Sequence, residues 1–294
     1  MIAVDWGTSN FRTFKLDADG NILARRSLPK GILRVESGHF NETLRTEVED
    51  WLAEGERHIL LCGMIGSREG WMEAPYLPCP VGIGDLAGSV MEVPFAGADV
   101  RLVPGVAGTD FDGVPEVMRG EETEAMGILD ACGGAGLVCF PGTHSKWIHL
   151  SDGKIVNFVT CMTGELYGAL SRNTILERTM TKGRAVDEAA FQRGVARSSE
   201  SGGLLHHLFG VRTLTLLEQL SEDDSASYLS GLLIGHEVRA AAIPSNGTVH
   251  LVGAAPLCTL YAQTIEACGG SATIEDEDAA ARGLAAIARR LTWS

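Results

Sequence analysis

No run of about 18 consecutive apolar residues occurs in this 294-residue chain, so no membrane-spanning helix is expected. Basic side chains are in short supply: 24 Lys and Arg face 38 Asp and Glu, a formal net charge of -14. That balance lacks the basic footprint of a nucleic-acid binder. It leaves room for a small anionic substrate in a locally positive pocket. The 7 cysteines include no CxxC pair, and an odd number in a chain this long reads as reduced, mostly buried thiols. MIAVDWG carries no basic segment ahead of an apolar one, so no signal peptide is expected, and a cytoplasmic location is. GxxxxGK[ST], GxSxG and HExxH are all missing, and Gly82-Ile83-Gly84 runs into Asp85 without the third glycine of a dinucleotide fingerprint. His58, His206, His207 and His250 show no metal-ligand spacing.

What is present is the composition of a globular protein, 45% hydrophobic and 21% charged, in a chain long enough for one large domain or two ordinary ones. Strands are expected at Ile2-Ala3-Val4, Phe11 to Leu16, His58 to Cys62 and Val100 to Val103. A helix over Asn41 to Leu52 takes Asn41 as its expected N-cap. Gly70 to Pro80, GWMEAPYLPCP, is rich in proline and aromatics and reads as a fixed loop. Glu121 to Asp130 reads as a helix with an acidic first turn, as the helix dipole favours. Strands follow at Leu137 to Phe140, Lys146 to Leu150 and Ile155 to Val159. The remainder is mainly helical: Thr163 to Ile175, Asp187 to Arg197, Leu204 to Phe209 and Ser225 to Ala242. A strand over Val249 to Val252 then leads into helices at Leu257 to Cys268 and Asp276 to Arg290.

The chain repeats a plan. IAVDWGTSNFRTFKLDADGNIL, from residue 2, and LVCFPGTHSKWIHLSDGKIVNF, from residue 137, each give strand, small polar turn, strand, Asp-Gly turn and strand. Gly-Thr opens the first turn in both, as Gly7-Thr8 and Gly142-Thr143. Two such units, each leading a half-chain, suggest two related lobes with a cleft between them.

Glycine lets backbone N–H groups approach phosphate oxygens and form an anion nest. Gly7, Thr8, Ser9 and Asn10 in the first turn, and Gly142, Thr143, His144, Ser145 and Lys146 in the second, are therefore candidate phosphate contacts. Asp5 ends the first strand and is the candidate Mg²⁺ ligand, since one carboxylate plus waters and phosphates is the usual shell. A ligand-free polar hairpin is the plain alternative for either turn. Gly253, Ala254 and Ala255 open a helix after a strand and are candidates for the nucleoside end. In VMRGEETEAMG, Glu121, Glu122 and Glu124 crowd a helix start, either as a complement to the dipole or as general base and metal-shell groups.

VDWGTSNFR, CGMIGSREGWMEAPYLPCP, VPGV, VMRGEET, PGTHSKWI, MTGEL and LSGLLIGHE together resemble the 2-dehydro-3-deoxygalactonokinases, in order from residue 2 to about 290. The resemblance implies the fold of the sugar kinase, Hsp70 and actin superfamily: α/β, two RNase H-like lobes and an inter-lobe cleft. Residues 1–115 would form the N-terminal lobe, with the first phosphate motif and the sugar-acid site. Residues 116–294 would form the C-terminal lobe, with the second phosphate and adenosine motifs and a last helix free to pack back on the first. The implied reaction is ATP- and Mg²⁺-dependent phosphorylation of 2-dehydro-3-deoxy-D-galactonate on its 6-hydroxyl, in galactonate catabolism. Gly63, Met64, Ser67, Trp71 and Tyr76 would wall the substrate, and Arg12, Arg68 and Arg119 are candidates for its carboxylate. Glu121 or Glu122 is the favoured base, with Asp112 in GTDFDG as the alternative. A kinase for a related 2-keto-3-deoxy acid, an exopolyphosphatase-type hydrolase and a nucleotide-gated binding module are the rival readings. The expected partners are small molecules, with a homodimer as the commonest assembly.

Overall fold

The computed structural model describes every residue except 111, 242, 244–246 and 294. In chain order the first elements are strands β1 (Ile2–Trp6), β2 (Phe11–Leu16) and β3 (Ile22–Leu28), helix α1 (Phe40–Ala53) and strand β4 (His58–Cys62). Next come β5 (Tyr76–Pro78), β6 (Val81–Gly82), α2 (Ile83–Ala87), β7 (Met91–Val93), β8 (Asp99–Leu102), β9 (Gly105–Thr109), β10 (Pro115–Met118) and α3 (Glu121–Gly127). Strands β11 (Gly136–Phe140), β12 (Ser145–Ser151) and β13 (Lys154–Cys161) precede helices α4 (Thr163–Asn173), α5 (Glu188–Arg197), α6 (Gly203–Leu216) and α7 (Ser225–Ala240). The chain closes with β14 (Thr248–Leu251), α8 (Ala255–Ala267), β15 (Ser271–Ile274) and α9 (Ala279–Ala288). Among the described residues, no helix is long and apolar enough to cross a membrane.

Some elements depart from the sequence reading. The stretch expected to be loop contains β5, which pairs in parallel with β9 alone and so tolerates Pro78 at a sheet edge. His39, not Asn41, occupies the N-cap position of α1, and the Asn41 amide donates to the Pro94 carbonyl instead at 3.2 Å. Helix α6 runs on to Leu216. Ala242, the expected end of α7, lies outside the described residues.

The chain divides into two compact units. Unit 1 comprises Met1–Gly136, Ile148–Val159 and Asp276–Ser294, and unit 2 comprises Leu137–Trp147 and Thr160–Glu275. Residues 116–118 are held by antiparallel pairing of β10 with β9, and α3 is held by α9.

In unit 1 the main sheet runs β3-β2-β1-β4-β8-β7. Strand β1 lies inside it, antiparallel to β2 and parallel to β4, so it is apolar on both faces. Ile2, Ala3, Val4 and Trp6 are fully buried, and Asp5 is the one polar break in the strand. Helix α1 lays Phe40, Leu44, Val48 and Trp51, at helical spacing, onto a core containing Ile2, Val4, Ile59 and Leu61. Helix α9 packs on β1, β4 and α3. Its crossing with α3 is backbone against backbone: a Cβ on Gly127 would lie 1.9 Å from the Ala279 carbonyl oxygen, and one on Gly283 would lie 1.9 Å from that of Thr123.

Unit 2 carries β11, β14 and β15 in parallel. Its core joins Leu137, Cys139, Val249 and Leu251 to Phe191, Ile234, Cys258 and Tyr261 from the helices. Helices α5 and α7 also meet through glycine. Added Cβ atoms would stand 2.1 Å from the Tyr228 oxygen at Gly194 and 2.0 Å from the Phe191 oxygen at Gly231. The glycines of LSGLLIGHE are therefore contact points between helices.

Gly283→Ala and Gly231→Ala should each lower the unfolding free energy by about 1–3 kcal/mol, because the added methyl can be accommodated only by separating two helices. Gly168→Ala, at a helical position with nothing within 4 Å of the added Cβ, should be neutral or stabilising by up to about 1 kcal/mol. Urea unfolding of the variants tests this, and equal effects at all three sites would contradict it.

Candidate active site

Asp5 and Arg12 are register partners on β1 and β2, so their side chains emerge on one face of the sheet. Arg12 Nε donates to Asp5 Oδ2 at 2.7 Å, and its Nη2 also contacts that oxygen. Nη2 further donates to Glu124 Oε1 at 2.7 Å, which brings in the first turns of α3. Burial works against the guanidinium's charge, but the two carboxylates outweigh it and hold its pKa above the ordinary value. Glu124 is pushed up, first by burial and then by the charge of Asp5. Arg12, expected to face the substrate carboxylate, is thus committed to two carboxylates of the protein.

The turn after β1 is held from outside. The carbonyls of Gly7, Thr8 and Ser9 accept from the backbone N–H groups of Ile32, Leu33 and Gly31, at 3.0, 3.3 and 3.0 Å. Gly31 must be glycine, since a Cβ there would stand 2.3 Å from the Thr8 oxygen. The sequence signal for this clamp was its Pro29-Lys30-Gly31 turn, which sequence reasoning passed over. Thr8, Ser9 and Asn10 keep their side chains exposed. Beyond β4, Gly63 takes φ 92° and brings its backbone against the first strand: a Cβ would lie 3.0 Å from Asp5 Oδ1 and 2.8 Å from the Trp6 carbonyl oxygen. Gly120, at φ 114°, brings the start of α3 to the same point, its added Cβ falling 3.3 Å from Gly63 Cα.

The three candidate bases are placed very differently. Glu121 is half-buried at the start of α3. Glu122 is fully buried, accepting from the Gly120 N–H at 2.7 Å and the Thr123 hydroxyl at 3.0 Å, and burial pushes its carboxyl up to about 8. It closes the helix start. Asp112 is exposed in the 110–114 turn, where its N–H donates to Asp110 Oδ1 at 2.9 Å. That turn lies across β10 from Glu121, and a four-residue strand spans roughly 13 Å. Of the proposed substrate wall, Met64 and Trp71 pack against the unit 1 core, and Arg68 is exposed beside Glu73 at 3.5 Å. Arg119 lies against Tyr76, its Cζ 4.4 Å from the ring centre, and Ser67 is buried beside Met64, its N–H donating to the Met64 carbonyl at 2.9 Å.

In unit 2 the second turn splits into an outer and an inner half. Thr143 and His144 are exposed, and His144 pairs with Glu165. Lys146 is buried, with Nζ 3.4 Å from the His144 carbonyl oxygen. Ser145 and Trp147 turn inward to the buried Glu237: Trp147 Nε1 donates to Oε1 at 2.8 Å, and Ser145 Oγ lies 3.4 Å from Oε2. The Tyr261 hydroxyl also donates to Oε2, at 2.7 Å. Burial raises the pKa of Glu237 despite these donors. The Ser145 hydroxyl, expected to meet phosphate, is thus turned into the core. Gly164 of MTGEL touches the same turn, since a Cβ there would lie 2.4 Å from the Gly142 oxygen.

Beside Gly142 and Gly164 opens a cavity of about 240 Å³, lined also by Thr163, Tyr167, Ser227 and Tyr261. Gly253, Ala254 and Ala255 do not line it; the helix they introduce supplies Leu257 and Tyr261. Helix α7 and residues 184–186 complete the wall, and sequence reasoning had no signal for them because they are ordinary apolar and polar residues.

The buried Glu122 carries a pH signature. Its folded pKa of about 8 lies above the ordinary 4.5, so the stability its protonated form supplies is fully present below pH 4.5 and is lost as pH rises through about 8. Glu122→Gln keeps an oxygen for the Gly120 N–H and cannot ionise. The melting temperature of wild type relative to this variant should therefore fall between pH 4.5 and 8. A difference that stays constant over that range would contradict the assignment.

The sequence profile of the 2-keto-3-deoxy-galactonokinase family matches residues 5–287. A probable 2-dehydro-3-deoxygalactonokinase of Rhizobium meliloti (strain 1021) is 39% identical over 298 residues, covering 99% of this chain and 97% of that one. The 2-dehydro-3-deoxygalactonokinase of Escherichia coli (strain K12) is 31% identical over 281 residues, covering 95% and 94%. A Sinorhizobium meliloti crystal structure named for the same activity superposes with a TM-score of 0.90 at 39% identity, covering 98% of each chain. More distant solved structures, at 13–16% identity and TM-scores of 0.50–0.53, share the fold of the actin-like ATPases and sugar kinases. Matching from Asp5 through the closing helix, with both Gly-Thr turns and the Glu121–Glu124 helix start inside the matched span, the chain belongs to the 2-keto-3-deoxy-galactonokinase family.

Proposed function

We propose that this protein transfers the γ-phosphoryl group of ATP to the 6-hydroxyl of 2-dehydro-3-deoxy-D-galactonate. The observation that carries the reading is the Asp5–Arg12–Glu124 cluster, set at the end of β1 in a chain whose relatives over nearly its full length are named for this activity. Use of ATP fits a protein that works in the cytoplasm.

Phosphoryl transfer asks little covalent chemistry of a protein. It needs the acceptor hydroxyl aligned, its proton taken up and the developing charge offset. Unit 1 offers carboxylates for the acceptor. Asp5 Oδ2 is engaged by Arg12, while Oδ1 faces the space left open by the absent side chain of Gly63. Among the described residues no cluster of three or more His, Cys, Asp and Glu side chains could hold a metal alone. Mg²⁺ makes no such demand, because one carboxylate with waters and substrate phosphates suffices, so Asp5 fits it. When bound, the ion would neutralise phosphate charge. Arg12 fixes the orientation of Asp5 and offsets its charge. Glu121 is assigned the hydroxyl proton, as the candidate base that is neither sealed in the core nor a strand's length away. Unit 2 offers the nucleotide a cavity with an apolar wall and a few polar groups, the usual make-up of a site for a flat ring.

A coupled assay should detect ADP only when 2-dehydro-3-deoxygalactonate is present; phosphate release without it would sink the kinase reading in favour of hydrolysis. Glu121→Gln should lower kcat by about 10²-fold or more with little change in KM, as the loss of a proton acceptor requires. Near-normal turnover would remove Glu121 from that role.

A further inference from the structure

Arg119 is 7% exposed, and Arg119 Nε and Nη1 have no hydrogen-bond partner. Its Nη2 donates to the Ala74 carbonyl at 2.7 Å, and Cζ sits 4.4 Å from the centre of the Tyr76 ring. The guanidinium is thus clamped on one edge and one face, with donors left over. No carboxylate among the described residues forms an ion pair with it. A buried charge without a counter-ion is costly, and each buried N–H without an acceptor adds to that cost. Such a group persists where something outside the chain satisfies it.

A second orphan lies in the same segment. Ser67 Oγ is buried without a partner, and Ser67 is 7% exposed. It directly follows Gly66, where a Cβ would come within 3.0 Å of Arg119 Nη1. Glycine at 66 therefore lets the guanidinium edge with an unused donor lie close to the backbone that leads into Ser67, with Ala74 Cβ and Leu102 Cδ1 3.4 Å from the same point. The other arginines differ. Arg12 is committed to Asp5 and Glu124, and the Arg68 side chain is 82% exposed beside Glu73.

We infer that Arg119 and Ser67 form the receptor for the carboxylate of the sugar acid, resting on the kinase reading for the identity of that acid. Planar N–H donors and a hydroxyl match a carboxylate's in-plane lone pairs. The turn Arg119-Gly120-Glu121 then carries the anion receptor on one residue and the proposed proton acceptor two residues on, so the two ends of the acid are read by one piece of backbone. Tyr76, 43% exposed, forms the outer wall and must yield for the acid to enter. Discrimination against neutral sugars follows, because a neutral group leaves the guanidinium unpaired.

The test compares the acid with its C1 carboxamide, and adds an acid lacking the 6-hydroxyl, which cannot be phosphorylated. Hydrogen bonds to a charged group are worth about 1.5–3 kcal/mol, which is about 10- to 150-fold in affinity. Wild type should favour acid over carboxamide by that factor in kcat/KM, and should bind the 6-deoxy acid by calorimetry. Arg119→Met should lose both the preference and the binding while its KM for ATP stays within about twofold. Its melting temperature should hold or rise, since an unpaired buried charge has been removed. Arg119→Lys should recover part of the preference, and Ser67→Ala should weaken acid binding about 3- to 10-fold. An Arg119→Met protein that still prefers the acid, or a Ser67→Ala protein that binds it normally should Arg119→Met not fold, overturns the inference. A wild type that binds the 6-deoxy acid no better than its carboxamide also overturns it. The kinase reading fails separately, if wild type binds the acid but makes no ADP with it.

Discussion

The charge balance at the end of β1 is the constraint on which unit 1 depends. Asp5 interrupts a strand that is otherwise fully buried, inside a sheet covered on both faces. A carboxylate there is tolerable only with a partner, and antiparallel register supplies one in Arg12. Arg12 in turn reaches Glu124, so the position of α3 is tied to the sheet by charge. The glycine contacts between α3 and α9 fix the same helix by shape. Electrostatics and packing therefore specify one arrangement, which is what a preorganised site for phosphoryl transfer requires.

Unit 2 has its own organising carboxylate. Glu237 gathers Trp147, Tyr261 and Ser145 around one buried side chain, and so ties the second Gly-Thr turn to α7 and α8. The helices supplying these groups also line the cavity beside Gly142. A buried network with several donors to one acceptor rigidifies its surroundings. Here it holds the floor of the proposed nucleotide cavity. The two similar turns thus share sequence but not surroundings: the first is clamped through its backbone by residues 31–33, the second through the Glu165 N–H on the Thr143 carbonyl at 3.0 Å and through buried side chains.

Much of the fold was legible because strand and helix periods are local. Phe11 to Leu16 and His58 to Cys62 form strands at the expected bounds, and Asp187 caps α5, accepting from the Ala190 N–H at 2.8 Å. The short edge strand β5 escaped because its pairing with β9 is a long-range event hidden under two prolines. Long-range pairing also governs the segment that follows β9. Residues 116–136 look like the opening of a second half, yet pairing with β9 and the crossing with α9 place them in unit 1. Asp112 and Glu122 illustrate the limit for sites. Sequence shows a carboxylate, and only the surroundings show whether it caps a helix, sits at an exposed turn or faces a ligand.

By itself the sequence determined the α/β class, the repeated strand-turn-strand plan and, through motifs such as VMRGEET and PGTHSKWI, the family. These are properties of order and spacing along the chain, and they survive without coordinates. The tertiary structure decided which charges are paired. Arg12, Arg68 and Arg119 are equivalent cations in sequence, and they became respectively a bridge, a surface group and a buried guanidinium with donors to spare. That difference arises from burial and from partners distant in sequence, because the cost of an unpaired charge is set by the dielectric around it.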